Sequence, residues 1–598
     1  IFGDERNDPR MSGNYSIVEK DKTIINKGVF TTCELKKDKC PPWKIRANKI
    51  IHDKKKKTIY YKRAWLDLYD VPIVYFPAFF HPDPTVKRQS GFLAPNFYNT
   101  KKFGSGFSLP YYHVFAENND FTISPKTYSD ENPVVQTEYR VVTKNSNTTI
   151  DASYNQGYKY QDLKKTPGSR NHFFMKSLYD LKMENFDYSL LEMNIQRTSN
   201  ETYLKVHNIE SPIIKDKNLL HSNITMNLNK DLLDLDINID VFEDLSKDRG
   251  KYEYILPSIN YKNNLAYSDS FGSIDHSIKA KYKNYDSNVN EGNIVNDFNW
   301  NSNNFYSNSG LVSKFEGTFK NNNYRAKESS NLKNNQNVIQ AATAVGYTTY
   351  YPLEKKTDTY EKSLTPKFML RYAPGEMRDL SDDQLRLTTE NLFSLNKLNN
   401  DDVIEDGTSI SVGSEYTYNS TINKAKNFKM SLGQVFNLKE NLDMPTQSSL
   451  NNRSSELVAK LDMNFNENLA LGYNFSADNN YKSINYNEVN GLIKFKNLVT
   501  QFDYLEENNF IGRNRSLNSS LSLEISDSKK LNYKIRKNFV TDSTEFYNLS
   551  YQYLTDCLTA GIEFNRNYYL DKDVEQEDSL MFKITFIPFG DISTPSLK

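Results

Sequence analysis

From about residue 105 to the C-terminal end, short stretches of the chain alternate apolar and polar residues, with polar turns between them. The clearest is LLDLDINIDVF, which sets Leu233, Leu235, Ile237, Ile239 and Val241 against Asp234, Asp236, Asn238 and Asp240. A period of two belongs to a β-strand, whose successive side chains stand on opposite faces. The same pattern returns in YSLLEMNIQ, GYNFSADN, SSLSLEISD, YNLSYQYL and LMFKITF. No equally long stretch follows a 3.6-residue period, although LSDDQLRLTTENLFSLNKL, residues 380–398, leaves room for a short helical turn. No run approaches the ~20 apolar residues of a membrane-spanning helix. That excludes helical spans but not a β-barrel, whose alternating strands score near neutral in hydropathy.

Size and polarity narrow the choice. The 598-residue chain is only 37% apolar, with a mean hydropathy of −0.71. Disordered chains share low hydrophobicity but lack aromatics, and this chain has 41 Tyr and 35 Phe. A soluble sandwich of this size needs more apolar residues for a dry core. A barrel with a wet lumen needs one apolar face per strand. At roughly 19–20 residues per strand with its connection, the stretch from 105 onward holds about 25 strands, and an even number is expected for a bacterial single-chain barrel. Seventy-five basic residues balance 75 acidic ones, so no whole-chain field points to nucleic acid.

Ahead of the barrel the chain changes twice. Residues 1–75 alternate in short pieces such as WKIRANKII and TIYYKRAWLDLYDVPIVYF, the pattern of a small solenoid or jelly-roll unit with one apolar face. The run Lys54–Lys57 between two pieces is expected to be a solvated turn. Residues 76–103 carry Pro77, Pro82, Pro84 and Pro95, a density expected to exclude a regular element and to make a stiff connector, leaving 104–598 as the barrel. Ile1 opens in mid-pattern, so the numbering is expected to start inside a mature chain.

Enzyme chemistry finds no foothold. The seven histidines are scattered, with no zincin motif and no nucleophile elbow. Asp275, His276 and Ser277 hold triad residue types, but neighbours on one strand alternate faces. The series from Asp234 to Asp240 resembles a calcium loop, yet Ile239 and Leu245 stand where such a loop needs Gly and Glu. No cofactor or metal site is expected. Cys33, Cys40 and Cys557 are either unrelated thiols or include a long-range bridge from Cys33 or Cys40 to Cys557, which requires an oxidising compartment.

Three strings over residues 31–125 are more specific: TTC with PPWKI, then VPIVYFPAFFHPDPTVKRQSGFLAPNF, then GSGFSLPYYHVFAENNDFTISPKTY. Weaker echoes follow in LTPKFMLRYAPG, ENLFSLNKLNNDDVIEDGT, LGQVF and LTDCLTAGIEFNRNYY. Together they resemble the LptD (OstA/Imp) family of outer-membrane lipopolysaccharide-assembly proteins over nearly the whole chain. Lys397 and Asn399 or Asn400 depart from the family's Arg and Gly at their positions. The resemblance implies a periplasmic β-taco that receives lipid acyl chains, of which only the last part is present, followed by a 26-strand barrel in the cell outer membrane. It implies lipopolysaccharide as cargo, the lipoprotein LptE as a plug in the lumen, a periplasmic LptA bridge through the missing N-terminal part, and the barrel-assembly machinery during biogenesis. Cys33 matches the family's periplasmic-domain cysteine, and Cys557 lies where an adjacent C-terminal pair is usual, so at most one such bridge is expected.

The third string raises a question of its own. It reads as a hairpin with Pro110 in one arm and Pro125 in the other, nearly opposite across the turn AENND. Proline gives no ladder hydrogen bond and is normally kept to edges, strand starts or bulges. If this is the first hairpin of the barrel, its first strand must close against the last, near Phe582, Ile584 and Phe586, and missing donors weaken that joint. The resemblance implies the same role, since both prolines match those of the family's lateral gate. Trp43, Ile45, Ile59, Tyr61, Trp65 and Leu68 are then candidates for the lipid path. Pro77, Pro82 and Pro84 belong to the expected hinge, where Lys87 and Arg88 meet either lipid phosphate or a salt-bridge partner. The competing expectation is a large porin or solute-receptor barrel.

Overall fold

The structure, a computed structural model, describes residues 10–34, 40–83, 88, 90–93, 95–100, 102–159, 167–286, 288–383, 385–446, 448–510, 512–540, 542–567 and 577–586. Pro84 and Lys87 lie outside the described residues. Two antiparallel sheets account for almost all of it.

The first sheet has six strands: β1 (Arg10–Ser12), β2 (Tyr15–Val18), β3 (Lys22–Thr31), β4 (Trp43–Asp53), β5 (Thr58–Leu68) and β6 (Val71–Pro82). They run in the order β1-β3-β4-β5-β6, with β2 also paired to β3. Phe30, Trp43, Ile45, Ile50, Ile59, Tyr61 and Ala64 pack into one buried cluster. The register passes over one row, Lys27, Asn48, Arg63 and Pro77, on four consecutive strands. Lys27 and Arg63 take left-handed φ values of 48° and 51°. Such a row bends a sheet and shifts the phase of each strand's alternation.

This row corrects two expectations. The prolines of the expected connector do not prevent a strand, because β6 is an edge strand and Pro77 falls in the skipped row, where no ladder bond is lost. Beyond Arg63 the inward face of β5 moves from odd to even positions, so Leu68 packs against the core and Trp65 turns outward onto Tyr75, ring centres 5.1 Å apart.

The second sheet joins 30 ladder segments, and four of its strands are each interrupted once, giving 26 strands that close on themselves. The first barrel strand is not the one beginning at residue 104. It comprises Gly91–Phe92 and Asn96–Thr100, inside the expected connector, and the last strand, Glu577–Phe586, pairs with it. Pro95 breaks the alternation of this strand into pieces too short to read. The second strand comprises Gly104–Ser108 and Tyr111–Ala116; the third is Asn119–Tyr128.

Burial along the barrel is inverted relative to a soluble protein. On strand Val312–Lys327, Phe315 and Phe319 are exposed, whereas Thr318, Lys320 and Asn322 are buried, and Lys320 meets Asp297 at 2.8 Å. Apolar rings outside and paired charges inside are what a bilayer around a polar lumen demands. The row Asp234, Asp236 and Asp240 belongs to the polar side, hydrogen-bonded across the strands to Asn229, Asn227 and His221.

At the end of the barrel away from the first sheet, long connections fold back onto the wall. Segment 374–406 buries Leu380, Leu387, Leu392 and Leu398 with Val435 and Met444, and carries the ion pair Lys397–Glu405 at 3.0 Å. In 380–398 the expected helical turn is a single one, Leu392 N donating to Thr388 O at 3.1 Å, and no helix forms among the described residues. A four-residue helix, Tyr203–Val206, occurs instead in segment 199–218.

Candidate lateral seam and its fastenings

The closing joint connects the last strand to both pieces of the first, Gly91–Phe92 and Asn96–Thr100, and among the described residues its ladder is short. Its described register is Ser579↔Thr100, Leu580↔Asn99, Met581↔Tyr98 and Phe582↔Phe97. The last strand makes ten such pairs with its other neighbour, Leu558–Asn567. Continuing the seam register sets Ile584 opposite Pro95, which has no N–H to give. Phe97, Phe582 and Ile584 are exposed on the outer face. Phe586 ends the last strand, opposite Leu558.

Pro110 and Pro125 lie one strand further from the seam than expected, in the second and third barrel strands. The ladder between them runs from Ser108↔Lys126 to Tyr111↔Ile123 and skips the residues between, the two prolines included. Extending either register sets Pro110 against Ser124 and Pro125 against Leu109, so the two are offset by one residue. Pro95, Pro110 and Pro125 therefore form a row across three adjacent strands at one depth. The row divides the first hairpin into a half near the N-terminal sheet and a half far from it. Pro110 still accepts from Leu93 N at 2.8 Å. Sequence reasoning counted Pro95 as connector; the alternation of Phe97 and Asn99 with Tyr98 and Thr100, followed by a turn at Gly104, is the signal that places it in a strand.

Two fastenings flank this seam, one from the N-terminal sheet and one from Arg88, ahead of the first barrel strand. On one side Cys33 and Cys557 form a disulfide across 524 residues, which selects between the pairings left open by the residues alone; Cys40 is free and exposed. Around it the Trp43 indole N–H donates to Cys557 O at 2.8 Å, Glu34 N donates to Asp556 Oδ2 at 2.6 Å, and the Tyr69 and Tyr553 hydroxyls meet at 2.7 Å. These contacts grip the turn between the third- and second-last strands. On the other side Arg88 forms an ion pair with Asp120 of the third strand, which also accepts from Arg140 at 2.8 Å and from the Tyr112 hydroxyl at 3.1 Å. Asp120 is buried, so the loss of its partners would leave a charge out of water.

Of the lipid-path candidates, Trp43, Ile45, Ile59 and Tyr61 meet in the buried cluster and Leu68 packs against it, while Trp65 lies on the other face. The cluster also contains Cys557 and Leu558 of the barrel, so the apolar interior of the sheet runs up to the barrel rim beside the seam. One polar pair sits in it. The Tyr61 hydroxyl lies 2.7 Å from His81 Nε2, and His81 Nδ1 lies 2.6 Å from Pro82 O. Burial pushes the His81 pKa down to about 4, so the ring is neutral, donating from Nδ1 and accepting at Nε2.

A closed 26-strand antiparallel barrel with an outward apolar face and a polar interior defines a β-barrel protein of the bacterial outer membrane. The family model described as LPS transport system D, LptD, matches residues 170–553, more than half of the chain. The chain belongs to the LptD family. The LPS-assembly protein LptD of Nitrosococcus oceani is 31% identical over 150 residues, 25% of this chain and 20% of that protein. Its counterpart in Sodalis glossinidius is 35% identical over 121 residues, 20% of this chain and 15% of that protein, and the one in Francisella tularensis subsp. holarctica is 34% identical over 102 residues, 17% and 12%. The matched stretch is thus a fifth or less of each relative's length. Among solved structures, the FrpB iron transporter of Neisseria meningitidis covers 83% of this chain and is itself covered to 82%, at 8% identity and a TM-score of 0.31.

Proposed function

We propose that the chain delivers lipopolysaccharide to the outer leaflet of the outer membrane through the seam between its first and last barrel strands. The observation that carries this reading is the position of the seam, flanked by the Arg88–Asp120 pair and by the disulfide to a sheet whose apolar interior reaches the barrel rim. A lipopolysaccharide joins acyl chains that avoid water to a phosphorylated head that avoids hydrocarbon. The sheet interior suits the chains and the polar lumen suits the head. A joint that parts sideways lets both leave without crossing an environment hostile to either. An LptE-like lipoprotein in the lumen and an LptA-like bridge on the N-terminal side belong to this reading, as do the names of the relatives. No covalent step is required.

The test is a reversible lock. Asn99 and Leu580 face each other across the seam, so Asn99→Cys with Leu580→Cys, in a Cys40→Ser background, should crosslink. Locked protein is expected to stop lipopolysaccharide arriving at the cell surface, while a control lock across the neighbouring pair Asn565↔Ser579 leaves arrival unchanged. Normal arrival through a locked seam removes the proposal.

A further inference from the structure

The tip of the first barrel hairpin is not a free loop. Phe103, in the short turn between Thr100 and Gly104, is buried, an uncommon position for a ring in a surface turn. Its ring meets His207 in a stack at 5.1 Å and 14°, and Tyr128 edge-on at 5.1 Å, and it clusters with Tyr158 and Val206. Phe103 N donates to Thr100 Oγ1 at 3.0 Å, and its carbonyl accepts from Asp130 N at 3.2 Å. Gly104 is required beside it: φ is 71°, and a Cβ would press on the side chains of Ser129 and Asp130.

The socket is rigidly built from elsewhere. Segment 199–218 supplies Val206 and His207, and packs Tyr203, Leu204 and Ile209 against Val134, Phe174, Leu220 and Leu245 of the wall. The Tyr203 hydroxyl meets Ser153 Oγ at 2.7 Å; Ser153 Oγ meets His172 Nδ1 at 2.5 Å, and His172 lies 3.3 Å from Asp151. These are triad residue types, but they are buried and capped by Tyr203, so they serve as an anchor. Gln136 Nε2 donates to Glu210 O at 2.7 Å. Arg170 lies over the Tyr158 ring at 4.1 Å.

The proline row and the socket together divide the labour at the seam. The last strand neighbours both pieces of the first strand, and the four pairs described between Phe97 and Thr100 belong to the far half, which ends at Phe103. We infer that Phe103 is the catch of the seam and segment 199–218 its keeper: the far half opens to the outer leaflet only when this ring leaves its socket. Phe103 is thus a positioning residue, acting on the seam through the hairpin. The inference rests on the seam being the exit proposed above.

The test uses the full-length protein with its native partners, in a Cys40→Ser background, and reads seam openings as conductance events in planar bilayers. Phe103→Ala is expected to raise their frequency roughly two- to twelve-fold, the factor carried by ~0.5–1.5 kcal/mol of aromatic contact at ~1.4 kcal/mol per tenfold. Phe103→Tyr should return it toward the parent. If Phe103→Ala fails to show heat-modifiable migration, Phe103→Cys with Val206→Cys, bridged by a short photocleavable bis-maleimide, replaces it: events should cease and return on illumination. Events that persist at the parental frequency under the tether overturn the catch. Events suppressed by the tether while lipopolysaccharide still arrives at the surface support the catch and remove the exit role of the seam.

Discussion

Arg63 takes a left-handed φ of 51°, in the skipped row that decides which of its neighbours face the buried interior of the sheet. Strict alternation groups Ile59, Tyr61 and Trp65; the skipped row keeps the first two inside, turns Trp65 outward and leaves Leu68, also a candidate, against the core. Trp43, Ile45, Ile59 and Tyr61, with Leu68 packed against them, were therefore legible as interior residues; the outward turn of Trp65 was not, because a skipped row leaves no compositional mark. His81 shows a second residue-scale consequence. Its folded pKa of about 4 lies below the ordinary 6.5, so the unfolded sheet binds its proton first as pH falls. The stabilisation is whole above about pH 6.5, declines between 6.5 and 4, and is constant below, a loss of about 3 kcal/mol. Amide exchange of peptides within Trp43–Pro82, corrected for intrinsic rates, should show that decline, and His81→Phe should flatten it.

At the scale of elements, the alternation of barrel strands was plain, but the identity of the first strand was not. Pro95 cuts it into Gly91–Phe92 and Asn96–Thr100, each below the length at which a period can be recognised. The same chemistry that hides the strand weakens it. Proline at 95, 110 and 125 removes one donor from each of three neighbouring strands at one depth. Pro110→Ala and Pro125→Ala each restore a donor worth ~0.5–1.5 kcal/mol. These donors lie beside the seam and not across it, so each should stiffen the first hairpin and through it make seam openings rarer, the double variant more so, as read by conductance events. Equal event frequency in all variants would remove the prolines from the gate. Pro77 is the internal control: it falls in the skipped row of an edge strand, so Pro77→Ala should change neither stability nor openings measurably.

For the whole molecule, the decisive feature is that one chain closes a cylinder and ties its N-terminal sheet to the rim beside the closing joint. The disulfide Cys33–Cys557 and the Arg88–Asp120 pair stand on opposite sides of it. Closure of the barrel does not depend on the disulfide, since every strand pairs within the second sheet. Reduction should therefore leave heat-modifiable migration intact, raise exchange at Glu34 and at the turn Thr555–Leu558, and abolish lipid transfer from sheet to seam. Retained transfer after complete reduction would show that the sheet needs no anchor. The barrel class was legible in the sequence because polarity, aromatic content and period agree. Closure against the last strand near Phe582 was expected too; its partner, Asn96–Thr100, was not, because Pro95 hides that strand.

The central claim is that this seam opens while its neighbours do not. Pulsed electron paramagnetic distances between spin labels at Thr100 and Ser579, compared with labels at Asn565 and Ser579, test it directly during lipopolysaccharide delivery. Two populations at the seam, one with the strands apart, and a single population at the neighbouring joint are the predicted result. A single closed distance at the seam throughout active delivery would contradict the account.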